Sequence, residues 1–297
     1  MPDIFTTASE ITAERRPATA RPLPPPLRAE CRAGLSFSVL GPLTARDEDG
    51  EVDLGQPKQR AVLAALLLQD GSYTSVYRLV EAVWGERAPA TAERSIHTYV
   101  YRLRRALTPP RGESCSVIAS ESGGYVVRVR PAALDLRVFE RSLEHAGVAR
   151  QSGDHAAVAR HLREGLGLWR GTVPLSGVPG EYVERHRVHL GELRRSALAM
   201  RLSAELALGM VDPVVAELSG LVAEHPLDER FRALLMTALH RADRRAEALW
   251  AYHEARTVLR ETLGVDPGRQ LRRVHEQILC DASAGSGQWP AVDVMST

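Results

Sequence analysis

The chain has 297 residues, of which 44% are hydrophobic and 25% charged, and its formal net charge at pH 7 is +1. This length and composition suffice for a buried core and predict two domains. Because the net charge is near zero, overall basicity gives no sign of nucleic-acid binding, and any such function must depend on where the charges lie. The three cysteines, Cys31, Cys115 and Cys280, are scattered, which excludes a disulfide framework and a CxxC metal site.

The two ends of the chain lack the periodic apolar pattern of folded elements. Residues 1–34 are rich in proline and arginine and contain no apolar signal-peptide core, so we expect a disordered leader. Residues 282–297 are interpreted as a flexible tail. The longest unbroken apolar run, Ala61 to Leu68, is far too short to span a membrane. We therefore expect a cytoplasmic protein with no membrane partner.

Residues 35–130 contain the signals of a small sheet, three helices and a hairpin. Leu35, Phe37 and Val39 alternate with small residues, and the run Val52 to Leu54 follows an acidic turn, which predicts antiparallel strands. Three helices are expected next: the first opens at Gly55-Gln56-Pro57 and ends at Asp70-Gly71, the second runs from Val76 to Trp84, and the third ends at Pro109-Pro110. A hairpin from Val117 to Val129 around Gly123-Gly124 follows them. Together these elements describe a winged helix-turn-helix domain, with the hairpin as the wing.

The third of these helices, within Arg94 to Leu107, has an apolar stripe and a basic face. The residues of the stripe recur at helical spacing and should face a core: Ile96, Val100, Leu103 and Leu107. The opposite face carries Arg94, Thr98, Tyr101 and Arg105, with His97, Arg102 and Arg104 on its flanks. A helix that presents arginines and an aromatic residue suits the major groove of DNA, and a solvated basic face is the plain alternative.

From Leu134 onward the sequence is almost wholly helical. It is interpreted as three helix–turn–helix pairs and a last helix that ends near Asp281. The pairs are Leu136–Trp169, with a turn near Gly153-Asp154; Leu198–His225, with a turn near Gly209 to Pro213; and Phe231–Leu263, with a turn near Ala242-Asp243. Alanines at matching positions after Asp154 and Asp243 let paired helices approach closely, as in tetratricopeptide solenoids. The expected fold is mainly α with a small β component: a winged helix followed, over residues 134–281, by an all-α tetratricopeptide-like domain.

Several motifs occur in a fixed order along both domains. In the first they are Val39-Leu-Gly-Pro-Leu43, Leu54-Gly-Gln-Pro-Lys-Gln-Arg-Ala-Val-Leu63, Tyr99-Val-Tyr-Arg-Leu-Arg-Arg-Ala-Leu107 and Gly124-Tyr125. In the second they are Leu168-Trp-Arg-Gly171, His225-Pro-Leu-Asp-Glu-Arg230, Leu235-Met-Thr-Ala-Leu239, Ala246-Glu-Ala-Leu249 and Gly264-Val-Asp-Pro-Gly268. Together the motifs resemble the Streptomyces antibiotic regulatory protein family, which implies an OmpR-type winged helix followed by a bacterial transcriptional activation domain.

The resemblance also implies a function and its partners. Such regulators bind double-stranded DNA at direct repeats near promoters and recruit RNA polymerase to secondary-metabolite gene clusters. Tandem repeats require two copies side by side on the duplex, so we expect a nucleoid-associated dimer on DNA and no cofactor.

The resemblance implies that residues of the third helix contact bases or phosphates. These residues are Arg94, Thr98, Tyr101, Arg102 and Arg104. Arginine suits this work because its planar fork binds guanine O6 and N7 together. Arg105 could reach a phosphate. Thr74 and Ser75 could offer hydroxyl and backbone N–H groups to another phosphate, or simply cap the second helix.

The wing departs from the family pattern. Related wings carry a basic pair such as Thr-Arg before the Gly-Tyr, and its arginine enters the minor groove. Here the corresponding residues are Ser120, Glu121, Ser122 and Gly123. A glutamate that faces phosphates repels them, so we expect weaker and less wing-dependent DNA binding than is typical of the family.

No other motif indicates an enzyme. The GxxxxGK[ST] pattern is absent and Lys58 is the single lysine, which excludes a P-loop ATPase. His186 and His189 have metal-compatible spacing without a third ligand nearby, so we expect no metal site. Two alternatives to an activator stay open: a sensor whose helical domain binds a ligand or peptide and gates DNA binding, and a scaffold with a vestigial winged helix.

Overall fold

The computed structural model describes residues 34–69, 71–108 and 116–281. Over these residues the protein is mostly helical, with two small antiparallel sheets in its N-terminal part. The predicted fold class, a winged helix followed by a helical domain, is confirmed. Three of the expected features lie outside the described residues: the tail, the leader apart from Gly34, and the helix stop at residues 109–110.

The first sheet is a meander of three short strands: β1 (Ser36–Ser38), β2 (Thr44–Asp47) and β3 (Gly50–Val52). Phe37 pairs with Ala45, and Ala45 pairs in turn with Val52. Phe37 and Ala45 are buried, so one face of this sheet covers the core. The antiparallel strands and the acidic turn predicted from the sequence are therefore present.

The winged helix continues with α1 (Pro57–Leu67), α2 (Val76–Trp84), α3 (Ala92–Leu107) and a second sheet. This sheet consists of β4 (Thr74–Ser75), β5 (Ile118–Glu121) and β6 (Gly124–Val127), with β6 in the centre. For the secondary structure at Thr74 and Ser75, the sequence predicts a helix cap and no strand, whereas the structure adds the short strand β4. Ser75 is also the cap, because its Oγ accepts a hydrogen bond from the Arg78 backbone N–H at 3.2 Å.

The C-terminal part is a succession of antiparallel helices. They are α4 (Asp135–Gln151), α5 (His155–Leu166), α6 (Glu181–Ala207), α7 (Val211–Glu224), α8 (Glu229–Arg241), α9 (Arg245–Leu263) and α10 (Arg269–Cys280). The turns at Gly153-Asp154 and Ala242-Asp243 lie where the sequence predicts them. The middle turn is shorter than expected, because Pro213 lies in the first turn of α7, where a proline is tolerated. The helix before that turn begins at Glu181, well before Leu198.

Buried side chains form two hydrophobic clusters. The first contains the winged helix together with α4, α5 and much of α6, and the second runs from the end of α6 to α10. Phe37 of the first sheet and Phe139 of α4 both belong to the first cluster and are fully buried. The expected domain boundary at residues 130–134 is thus crossed by a continuous core.

Asp135, the first residue of α4, holds the first sheet against the helical part. Its carboxylate accepts backbone hydrogen bonds from Val39 at 2.8 Å and Leu40 at 3.1 Å. Burial raises the pKa of the Asp135 carboxyl, and the backbone N–H groups that bind it act in the opposite direction. Arg170 adds a second tie, since its guanidinium donates to the Pro42 carbonyl oxygen at 2.7 Å.

Replacing Asp135 with alanine should lower the free energy of unfolding by about 2–4 kcal/mol, because two buried backbone N–H groups lose their acceptor. Equilibrium unfolding in urea, followed by circular dichroism, measures the change. Asp154→Ala is the control: Asp154 caps the exposed start of α5 through the Ala157 N–H, and a lost cap costs about 1 kcal/mol. Equal losses in the two variants would contradict a special role for Asp135.

Candidate nucleic-acid interface

Helix α3 buries its apolar stripe and exposes its basic face. The stripe residues Ile96, Val100, Leu103 and Leu107 are all at most 2% exposed. The side chains on the other side are exposed: Arg94, Thr98, Tyr101, Arg102 and Arg105. Tyr101 is 66% exposed, which is a large apolar area to leave in water. The structure thus brings five of the predicted site residues together on one accessible surface.

Arg104, in contrast, is half-buried and held by the wing. Its Nε donates to the Ile118 carbonyl oxygen at 2.9 Å, and its Nη2 donates to Ser120 Oγ at 2.7 Å. The guanidinium carbon lies 5.4 Å from the centroid of the Tyr125 ring. The side chain that we predicted to contact DNA therefore links α3 to β5 and β6.

Tyr125 completes this link from the wing side. It is 6% exposed, and its hydroxyl lies 2.6 Å from His97 Nδ1 on α3. Burial raises the pKa of the Tyr125 hydroxyl, and the positive charge of Arg104 acts in the opposite direction. Sequence periodicity places His97 and Arg104 on α3 but gives no sign that both contact Tyr125.

The tip of the wing is a two-residue turn. Ser122 and Gly123 both have positive φ, at 36° and 83°, between the paired residues Glu121 and Gly124. Position 124 requires glycine, because a Cβ there would lie 2.3 Å from the Thr74 carbonyl oxygen. The wing is therefore short and fixed against β4.

Glu121 is paired, which changes the expectation for the wing. Its Oε1 accepts a hydrogen bond from Arg128 Nη2 at 2.8 Å, and both side chains are roughly half-exposed. On the sequence alone, we expect Glu121 to be an isolated negative charge, without regard to Arg128. The strand alternation could have indicated the pair, because residues 121, 124, 126 and 128 share one face of the hairpin.

The two residues before α2 differ in their accessibility. Thr74 is 2% exposed, because the pairing of β4 with β6 turns its side chain into the core. Its hydroxyl is therefore not available to a phosphate in this structure, contrary to our prediction. Ser75 is partly exposed and lies at the start of α2, next to the turn of the wing.

Metal ligands and membrane-spanning helices are not found in the described ranges. These residues contain no group of three or more His, Cys, Asp and Glu side chains that could hold a metal ion. His186 Nδ1 instead lies 2.8 Å from the Tyr182 carbonyl oxygen of its own helix. No helix of the described residues is both long and apolar enough to cross a membrane.

Comparison with known proteins identifies two regulatory domains. Residues 49–127 match the family described as "Transcriptional regulatory protein, C terminal", and residues 134–279 match "Bacterial transcriptional activator domain". The regulatory protein DnrI of Streptomyces peucetius is 33% identical over 250 residues, which cover 82% of this chain and 92% of DnrI. The chain belongs to the Streptomyces antibiotic regulatory protein family. Both matched domains are of the kinds described for transcription regulators.

Other members of this family are longer than the matched region. The regulatory protein AfsR of Streptomyces coelicolor is 43% identical over 255 residues, which are 86% of this chain and 25% of AfsR. The solved structure of Mycobacterium tuberculosis EmbR in complex with a low-affinity phosphopeptide is similar, with a TM-score of 0.77 and 36% identity. That match covers 83% of this chain and 65% of the EmbR chain.

Replacing Arg104 with alanine should speed amide hydrogen exchange in β5 and β6 by about tenfold or more, because hydrogen bonds to a charged group contribute about 1.5–3 kcal/mol each. Hydrogen exchange with mass spectrometry measures the effect. The matched control is Arg105→Ala, since the neighbouring Arg105 is exposed and should leave the exchange unchanged. The same exchange rates in both variants would show that Arg104 does not hold the wing.

Proposed function

We propose that this regulator is a sequence-specific DNA-binding activator whose helix α3 enters the major groove. The observation that carries the proposal is the division of α3 into a buried stripe and an exposed basic face. An α-helix fits the major groove, where arginine side chains can bind base edges and phosphates. The basic face is accessible in this structure, so binding requires no prior release of α3.

Within this proposal the residues of the exposed face have different tasks. Arg94, Thr98, Tyr101 and Arg102 contact base edges or nearby phosphates, and Arg105 binds a phosphate. Arg104 is a positioning residue, because its donors already bind Ile118 and Ser120. Ser75, at the start of α2, binds a phosphate, and Thr74 does not contact DNA directly.

We further propose direct repeats near promoters as the target and RNA polymerase as the partner. Two copies side by side on tandem repeats present two helical C-terminal parts to the polymerase. Family membership favours a secondary-metabolite gene cluster as the regulated pathway. Such a protein acts in the cytoplasm, in association with the nucleoid.

Genome-wide mapping of bound DNA, followed by footprinting of the recovered promoter fragments, tests this proposal. We expect a protected direct repeat with wild-type protein and no footprint with Arg102→Ala at the same concentration. A lost bidentate contact with a base costs about 1–3 kcal/mol, and each repeat loses one.

Arg273→Ala is the matched control for the footprint. Arg273 is an exposed arginine of α10, which packs on α8 and α9 in the second hydrophobic cluster. This control should bind like the wild type. A wild-type footprint that survives Arg102→Ala would contradict the assignment of α3, and the absence of any specific fragment would contradict the proposed function.

The Glu121–Arg128 pair gives a prediction about the wing. Glu121→Arg should increase the affinity for the mapped promoter fragment and steepen its salt dependence by about 0.9 or more in log–log slope, because a repulsive charge is replaced by a phosphate contact. Arg128→Gln should have the opposite effect on affinity, because it leaves the Glu121 charge unneutralised. Fluorescence anisotropy at several salt concentrations measures both. Unchanged affinity and slope in both variants would exclude the wing from the interface.

A groove in the second cluster favours one alternative function, a ligand- or peptide-gated regulator. It has a volume of about 710 Å³, and helices α7, α8 and α9 supply its lining. Trp250 on its wall is 65% exposed, which is uncommon for a tryptophan. A thermal-shift screen against cell extract tests this alternative: reproducible stabilisation by a small molecule or peptide supports it, and no stabilisation by any fraction counts against it.

A further inference from the structure

The N-terminal end of α6 lies against the winged helix. Tyr182 of α6 accepts a hydrogen bond from Gln69 Nε2, just after α1, at 2.8 Å. Gly180 is so close to α2 that a Cβ on it would lie 2.7 Å from the Ala82 carbonyl oxygen. The start of α6 therefore has a fixed position beside α2.

Two exposed arginines lie on the helices that form this contact, one from each part of the chain. Arg78 lies in the first turn of α2, and Arg185 lies in the second turn of α6. Burial raises the pKa of the Tyr182 hydroxyl, whereas the hydrogen bond from Gln69 and the positive charges of Arg185 and Arg78 act in the opposite direction. The packing of α6 on α2 thus places both arginines on adjoining helices, and the charges of both act on the same hydroxyl.

Arg185 differs from the other arginines of α6 in having no protein partner within the described part of the chain. The others are held by carboxylates or carbonyl oxygens: Arg187 by Glu184, Arg194 by Gly171, Arg195 by Glu192, and Arg201 by Glu205 and Glu217. Of the two acidic residues in the first turn of α6, Glu184 is paired with Arg187, and Glu181 forms no ion pair with Arg185 in the described part of the chain. The side chain of Arg78 likewise has no carboxylate partner among the described residues.

The same surface continues to the turn of the wing. Ser75 pairs with Gly124, and the Val76 backbone N–H donates to the Gly123 carbonyl oxygen at 3.4 Å. Arg78 is thus one helical turn from the tip of the hairpin. In helix-turn-helix proteins the helix before the recognition helix crosses the phosphate backbone, and α2 is that helix here.

We propose that Arg78 and Arg185 form a phosphate-binding site shared by the winged helix and α6, which extends the DNA contact onto the helical part of the chain. The ligand is the duplex backbone flanking the sequence read by α3. This inference rests on the proposed function, because it requires that α3 and the wing approach DNA. It adds a contact from outside the winged helix, and it makes the position of α6 part of DNA recognition.

The test is the salt dependence of binding to the mapped promoter fragment, compared between wild type and Arg185→Ala. Loss of one phosphate contact per bound copy should reduce the log–log slope by about 0.9 for each copy. Between about 50 and 200 mM salt, the wild type should then lose about 3.5-fold more affinity than the variant for each copy bound. Arg78→Ala should have a similar effect, and Arg185→Lys should restore the wild-type slope because it keeps the charge.

Two further variants make the outcomes distinguishable. Arg273→Ala removes an exposed arginine from α10 and should keep the wild-type slope. Arg102→Ala reports whether α3 reads the fragment. A wild-type slope in Arg185→Ala, while Arg102→Ala loses binding, would overturn this inference and leave the proposed function intact. If the wild type does not prefer the fragment over random DNA, the proposed function fails and this inference fails with it.

Discussion

The burial of four apolar side chains on one side of α3 determines which side chains of this helix are exposed to solvent. Ile96, Val100, Leu103 and Leu107 are inaccessible to water, and each contributes about 2 kcal/mol of hydrophobic stabilisation. This contact sets the rotation of α3 about its own axis. The arginines on the opposite side therefore point outward as a consequence of packing.

The wing is held to α3 by polar contacts. Arg104 binds two wing residues, and the Tyr125 hydroxyl meets His97 from the other strand. Because these contacts are partly buried, they fix the hairpin in direction as well as in place. The distance between α3 and the wing is thereby fixed by contacts within the protein itself.

Periodicity explains which parts of the fold could be predicted from the sequence. The stripe of α3 and the turns at Gly153 and Asp243 have strong local signals, and each prediction is confirmed. Strand β4 has only two residues, too few to show any alternation, and its pairing with β6 depends on residues about fifty positions away. The early start of α6 has no such signal, because its first turns are rich in charged residues and its apolar Tyr182 and Val183 pack in the cluster that contains the winged helix.

The candidate site was predictable to the same extent. Helical spacing identifies the exposed residues of α3 but cannot distinguish Arg104, whose partners lie on a separate hairpin. The burial of Thr74 and the pairing of Glu121 with Arg128 also depend on how β5 and β6 meet other elements. Chain-order patterns give the face of an element, and tertiary contacts decide which side chains on that face are free.

The continuous core that joins the winged helix to α4, α5 and α6 has a consequence for how such regulators diversify. Phe139 and Leu190 belong to the same cluster as Phe37, so a break at residues 130–134 would leave apolar surface uncovered on both fragments. Recombination at that point would join halves whose interfaces have not adapted to each other. Under the proposed function, point substitutions on the outer side of α3 change operator preference more easily, because they leave the shared interior untouched.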